Sequence, residues 1–299
     1  VTAKANGTTT ITATTQNGYT AQCSVPVITS ITSLAVSPTS KTLNIGETVQ
    51  LTGTKNPSTT SEGTQWTSSN TSVATVSNSG LVTAKSAGTA TITFKNSSST
   101  KSASCTVKVI NIEYIVGTGS HSVLSSNGYS LIKYNNNGSV VWTTSASQPI
   151  NSVAQTSDGG YIVGTGSHSV LSSNGYSLIK YNNNGSVVWT TSASQPINSV
   201  AQTSDGGYIV GTGSHSVLSS NGYSLIKYNN NGSVVWTTSA SQPINSVAQT
   251  SDGGYIVGTG SHSVLSNKGY SLIKYNHNGS VVWTTSASQP INSVIQKSQ

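Results

Sequence analysis

The sequence contains no arginine and no methionine, a single phenylalanine, two cysteines, and only 6% charged residues, against about 25% in an ordinary soluble domain. Without arginine there is no planar guanidinium to fork onto a phosphate or a base edge, and the lysines behind the net charge of +7 are scattered rather than striped. Nucleic acid is therefore not an expected partner. No apolar run approaches the roughly 20 residues that a membrane-spanning helix needs, and no charged-then-apolar leader precedes the first strand, so membrane insertion is not expected either. The two cysteines, Cys23 and Cys105, lie in the similar settings AQCSVPV and ASCTVKV. As equivalent positions of successive similar segments they need not meet, and they read as small buried hydrophobes, with no metal-ligand spacing around either.

What the chain has in abundance is repetition. The stretch beginning at Tyr114 starts again at Tyr161, Tyr208 and Tyr255, and since 161−114, 208−161 and 255−208 all equal 47, the period is 47 residues. The fourth copy departs from the others only at Asn267, Lys268, His277, Ile295 and Lys297 before the sequence ends at Gln299. A period of about 40–50 residues marks solenoids, propellers or arrays, because one unit alone cannot bury its apolar faces. Hydrophobic residues make up 33% of the chain, in short β-branched runs bounded by Asn-Gly and Gly-Gly turns, which predicts an all-β protein surfaced with Ser, Thr and Asn.

Three segments follow. Residues 1–28 match residues 82–110 closely and are expected to be the C-terminal part of a domain whose front half lies outside the sequence. Residues 29–110 hold one complete copy, with strands predicted at Leu34–Val36, Thr48–Leu51, Gln65–Ser68, Ala74–Val76, Ala90–Phe94 and Ala103–Val109. Gly46-Glu47 before a strand, Trp66 with Ser68, Ser69 and Asn70, then GLVTA at 80–84 and GTATI at 88–92 are similar to the second group of bacterial immunoglobulin-like domains. That resemblance implies a β-sandwich acting as an extracellular spacer on a bacterial surface, with Trp66 in its core. Residues 111–299 hold the four repeats. The connection between the two segments is short and lacks Gly and Pro, which predicts a stiff mount.

Each repeat carries four strand-like runs, in the first traverse Tyr114–Thr118, Tyr129–Tyr134, Val140–Ser145 and Ile150–Thr156. Four antiparallel strands per repeat is the pattern of a β-propeller blade. The strings GGYIVGTG, LIKYNNNGSVVW and SVAQTSDGG also resemble bacterial propeller repeats related to the quinoprotein type, without the cofactor-binding features of those enzymes; no cofactor is expected. If Ile150–Thr156 is the innermost strand of the following blade, the first unit lacks such a strand and Ile291–Lys297 lacks a blade. Pairing these two would close a four-bladed ring; two chains sharing a larger ring is the alternative.

Candidate chemistry is sparse. Asp158, Asp205 and Asp252 each stand alone before Gly-Gly in a hairpin, where a carboxylate bonds the turn backbone; acid/base hydrolysis usually needs two facing carboxylates. No nucleophile elbow accompanies the histidines, so no catalytic residues, no metal and no enzyme activity are expected. Blade topology would bring the loop after the first strand and the Ser-Gln-Pro loop to one face. The candidate ligand-binding residues there are His121, Asn127 and Gln148, and their counterparts His168, Asn174 and Gln195, His215, Asn221 and Gln242, and His262, Lys268 and Gln289. Uncharged donors and acceptors of this kind suit hydroxylated ligands, which points to glycans or another surface protein as partners. Trp142, Trp189, Trp236 and Trp283, in VVWTT, are expected to pack between blades. A structural module that packs against copies of itself is the other reading, and an accessory region of an enzyme a third.

Overall fold

The computed structural model describes residues 2, 4–119, 128–166, 175–213, 222–260 and 269–296. The chain divides into two compact units, Val1–Ile112 and Glu113–Gln299, and among the described residues every regular element is a strand.

The first unit holds β1 (Gly7–Thr14), β2 (Thr20–Val27), β3 (Ser33–Ser37), β4 (Ser40–Asn44), β5 (Thr48–Gln50), β6 (Thr52–Asn56), β7 (Thr64–Ser68), β8 (Ala74–Val76), β9 (Leu81–Ala84), β10 (Gly88–Asn96) and β11 (Ser102–Ile110). Sheets β4-β11-β10-β7, β5-β9-β8 and β3-β6 surround one core containing Leu51, Ile92, Phe94, Cys105 and Val107. Strict alternation in β10 and β11 sends every second side chain inward, as a half-buried strand requires. Trp66 packs on Phe94 with ring centroids 4.6 Å apart, and Phe94 lies so close to Gly53 that any Cβ there would meet its ring. The Gly46-Glu47 pair makes a turn: Gly46 takes φ +87°, and the Glu47 carboxylate accepts the Asn44 backbone N–H at 2.8 Å, which holds its pKa down. Strands β4 and β6 escaped the sequence reading because SKTLN and TGTKN carry too few apolar residues to show a period, and β9, LVTA, because four residues are too short to show one. The β1–β2 hairpin repeats the β10–β11 register, Ile11 opposite Cys23 as Ile92 is opposite Cys105. Cys105 is buried but Cys23 is exposed, because β1 and β2 pair only with each other among the described residues.

The second unit is four successive sheets. The first is β12 (Glu113–Gly117), β13 (Tyr129–Asn135) and β14 (Val140–Ala146). Each of the others adds an inner strand: β15 (Ile150–Gln155), β16 (Tyr161–Thr165), β17 (Tyr176–Tyr181) and β18 (Val187–Ala193); β19 (Ile197–Gln202), β20 (Tyr208–Thr212), β21 (Tyr223–Tyr228) and β22 (Val234–Ala240); β23 (Ile244–Gln249), β24 (Tyr255–Thr259), β25 (Tyr270–Tyr275) and β26 (Val281–Ala287). All pairs are antiparallel and sequential, in the pattern of propeller blades. The SDGG and NNNG turns lie at one end of the strands, closed by glycines at φ about +80° such as Gly159 and Gly138. At the other end Thr165 Oγ1 accepts the Ser177 N–H at 2.9 Å and extends the ladder by one rung.

The expected pairing of Ile291–Lys297 with Tyr114–Thr118 is not formed among the described residues: β12 pairs only with β13, and residues 291–296 belong to no sheet. The segment instead lies against β23 and the turn after it. Asn245 Nδ2 donates to Ile291 O at 3.2 Å, the Val294 N–H donates to Ser246 Oγ at 3.0 Å, and the Ser251 N–H donates to Gln296 Oε1 at 2.6 Å.

Candidate functional site

The face proposed from sequence divides into two groups. His121, Asn127, His168, Asn174, His215, Asn221, His262 and Lys268 lie outside the described residues. Gln148 and Gln242 are buried beside Pro149 and Pro243, Gln195 is half-buried and Gln289 is exposed.

At the opposite end of the strands, each hairpin aspartate does more than close its turn. Asp205 Oδ1 accepts the Gly207 N–H at 3.0 Å and the Thr203 hydroxyl, and both carboxylate oxygens face the Lys227 ammonium, Oδ2 at 3.0 Å. Lys227 is buried along its stem and also donates to Tyr228 O at 3.0 Å. Burial alone would raise the Asp205 pKa. The Thr203, Lys227 and Gly207 donors outweigh it and hold the carboxyl at about 2. Asp158 is held at about 2, first by Thr156, and Asp252 lower still, first by Lys274. In the first sheet Glu113 stands where Gly160 stands one repeat later, and Lys133 pairs with Glu113 at 2.6 Å and donates to Asn183 Oδ1 at 2.9 Å. Glu113 cannot recur: a Cβ at Gly160 would press on Tyr181 O and Lys180 Nζ.

Between the third and fourth sheets these groups line a cleft of about 470 Å³. Its walls carry Asp205, Lys227, Asn229, Asn230, Gln249, His277 and the indole of Trp236. Gln249 is tied down, accepting the Ser204 N–H at 2.7 Å and donating to Ser204 Oγ at 3.2 Å. The side chains of Asn230 and His277 make no hydrogen bond among the described residues, which leaves an amide and an imidazole for a ligand. The same residue types recur one repeat earlier, with Asn230 itself in the place of His277. Sequence reasoning passed over this cleft because NNNG and SDGG are ordinary turn strings, and only the packing of one sheet on the next makes them two walls. Among the described residues no group of three or more His, Cys, Asp or Glu comes together to hold a metal.

Three of the four repeat tryptophans lie between sheets, as expected, whereas Trp283, with no sheet after it, is exposed. Trp142, Trp189 and Trp236 meet Tyr161, Tyr208 and Tyr255 of the following sheet edge to face, with centroids 5.9, 5.7 and 5.8 Å apart. No helix among the described residues is long and apolar enough to cross a membrane.

No curated protein matches the chain in sequence. Among solved structures, a protein of unknown function from Bacteroides caccae aligns at a TM-score of 0.42 and 17% identity, over 61% of this chain and 60% of that one. BamB from Moraxella catarrhalis aligns at 0.35 and 17%, over 58% of this chain and 52% of that one, and domains 5-6 of the S-layer protein SbsC at 0.23 and 18%, over 72% and 97%. This chain thus spans less than two thirds of the first two proteins. Residues 30–107 match the bacterial Ig-like domain (group 2) and residues 177–299 match outer membrane protein assembly factor BamB, so an Ig-like segment of that group is followed here by a BamB-like repeat region.

Proposed function

We propose that this is an extracellular bacterial surface protein in which Ig-like stalk domains present a multivalent, non-catalytic propeller of four blades that binds neutral glycans. The observation that carries the reading is the cleft between the third and fourth sheets, where free amide and imidazole groups and an indole edge line a space of about 470 Å³. Sugars are met by such sets: planar side chains for the ring and oriented donors and acceptors for the hydroxyls. The carboxylate is already committed to Lys227, and at a pKa of about 2 it is ionised at neutral pH and unsuited to donate a proton, which supports binding without chemistry. Repetition of the residue set gives weak sites that act together on a multivalent target. The group 2 Ig-like match supports a surface location. A strand of the INSV type beside β12 would complete the first blade and seal the ring.

The test is a glycan array probed with the full chain. Asn230→Ala with His277→Ala should weaken binding about tenfold or more, the cost of one or two lost polar contacts. Replacing His121, His168, His215 and His262 by Ala tests the opposite face. An array silent to the unmodified chain overturns the glycan reading. The rival is a purely structural module of a surface fibre or layer that binds no glycan, and apolar side chains left exposed at the two ends of the array favour it.

A further inference from the structure

Three joints between successive sheets share one construction. A tryptophan of the outer strand meets a tyrosine of the next sheet. Two residues on, Thr144, Thr191 and Thr238 donate Oγ1–H to the backbone oxygens of Gly185, Gly232 and Gly279 at 2.8–2.9 Å. Those glycines sit so tightly on Trp142, Trp189 and Trp236 that a Cβ would stand 2.8–2.9 Å from the indole. Along the inner strands Asn151, Asn198 and Asn245 donate to the backbone oxygens of Ile197, Ile244 and Ile291.

The two ends of the array carry the two halves of a fourth such joint, both open. At the leading end Tyr114 is 53% exposed and Val116 41%, where Tyr161, Tyr208 and Tyr255 are at most 4% exposed and Val163, Val210 and Val257 are fully buried. Gly138, unlike Gly185, would meet nothing within 4 Å if it bore a Cβ. At the trailing end Trp283 is 43% exposed and Ile295 88%. The segment at residues 291–296 already occupies the place of a next inner strand, held by Asn245, Ser246 and Ser251. The leading sheet has β12, β13 and β14 but no inner strand; the trailing end has an inner-strand sequence, INSVIQ, and no sheet.

We propose that the trailing end docks on the leading end of a second copy of this chain. Residues 291–296 become the fourth strand of the partner's β12-β13-β14 sheet, in the register that sets Val153 opposite Val163 and hence Val294 opposite Val116. Trp283 then meets the copy's Tyr114, and Thr285 meets its Gly138 turn. The occupant follows from the three joints already formed within one chain, since the open surfaces carry the same residues in the same order. Within one chain the segment is held by Asn245, Ser246 and Ser251 and pairs with no strand of the leading sheet among the described residues, so the head that fits its tail is assigned to another molecule. Such a head-to-tail contact either closes a ring or propagates, and two copies meeting twice leave no half open. The inference rests on reading the sheets as successive propeller blades, four from each chain, and not on ligand binding.

Val116→Cys with Val294→Cys, in a chain also carrying Cys23→Ser, tests it under mild oxidation, because opposed residues of an antiparallel pair fall within disulfide reach. A covalent dimer or a ladder of higher multiples on a non-reducing gel is expected. A disulfide-linked monomer, which means closure within one chain, or no disulfide at all, overturns the proposal. Native mass measurement gives a second readout. The full chain should be dimeric or larger, and Trp283→Asp with Ile295→Asp should cut the associated population at least about tenfold, as removal of central aromatic and aliphatic anchors does. A monomeric parent chain, or association untouched by both substitutions, likewise overturns it; an unchanged glycan profile in the dissociated variant separates this result from the binding question.

Discussion

Trp189 of the second sheet and Tyr208 of the third stand edge to face, 5.7 Å between centroids and 62° between planes. The pair closes a joint that also contains Gly232 and the Thr191 hydroxyl, so it is placed to hold one repeat on the next. Trp189→Ala should destabilise the repeat unit by roughly 3–5 kcal/mol, the usual range for an aromatic lost from a packed interior. Trp283→Ala, on an open face, should change the stability of the isolated monomer by less than about 1 kcal/mol. Denaturant melts of dilute protein compare the two.

Gly185 and Gly138 occupy the same place in successive NNNG turns, at φ +82° and +80°. Alanine costs roughly 1–2 kcal/mol at either from backbone strain alone. Only at Gly185 does the new Cβ press on Trp142, so Gly185→Ala should cost a further 1–3 kcal/mol or so by overpacking. Equal losses in thermal melting would show that the close approach to the indole contributes nothing.

The hairpin carboxylates make the repeat unit acid-sensitive. Asp158 and Asp205 have folded-state pKa values near 2 against an ordinary 3.8, so their contribution is complete above about pH 4 and drains away as the pH falls toward 2. Their side chains are 64% exposed, and solvent screening keeps the effect near 1 kcal/mol or below for each. Replacing Asp158, Asp205 and Asp252 by Asn should lower stability at pH 7 and flatten its dependence between pH 4 and 2, followed by circular dichroism.

Cys23 and Cys105 share a sequence setting and differ in reactivity. Cys23 is exposed, whereas Cys105 is fully buried with its thiol pKa raised by desolvation. A maleimide or disulfide reagent should label one thiol per chain quickly and the second only on unfolding. Two fast thiols would mean that the β11 face is open in solution.

The 47-residue period, the antiparallel strands, the Asp-Gly-Gly turns and the placement of Trp66, Trp142, Trp189 and Trp236 between packed layers were all legible in the sequence. They depend on local alternation, turn chemistry and the size of an indole. Strands β4 and β6 were not, because their polar residues leave no hydrophobic period to read, nor was β9, whose four residues LVTA are too few for one. Nor were the Lys180–Asp158 and Lys227–Asp205 pairs, in which residues 22 apart meet only after two hairpins fold.

The identity of the units, their order and the residue types at every repeated position were settled by the sequence alone, since repetition imposes the same local forces in each copy. Where the array's ends go was decided by tertiary structure. An inner strand can lie beside the sheet before it or complete the sheet after it, with the same side chains suited to both. The choice depends on the accumulated angle from sheet to sheet, which no single repeat encodes.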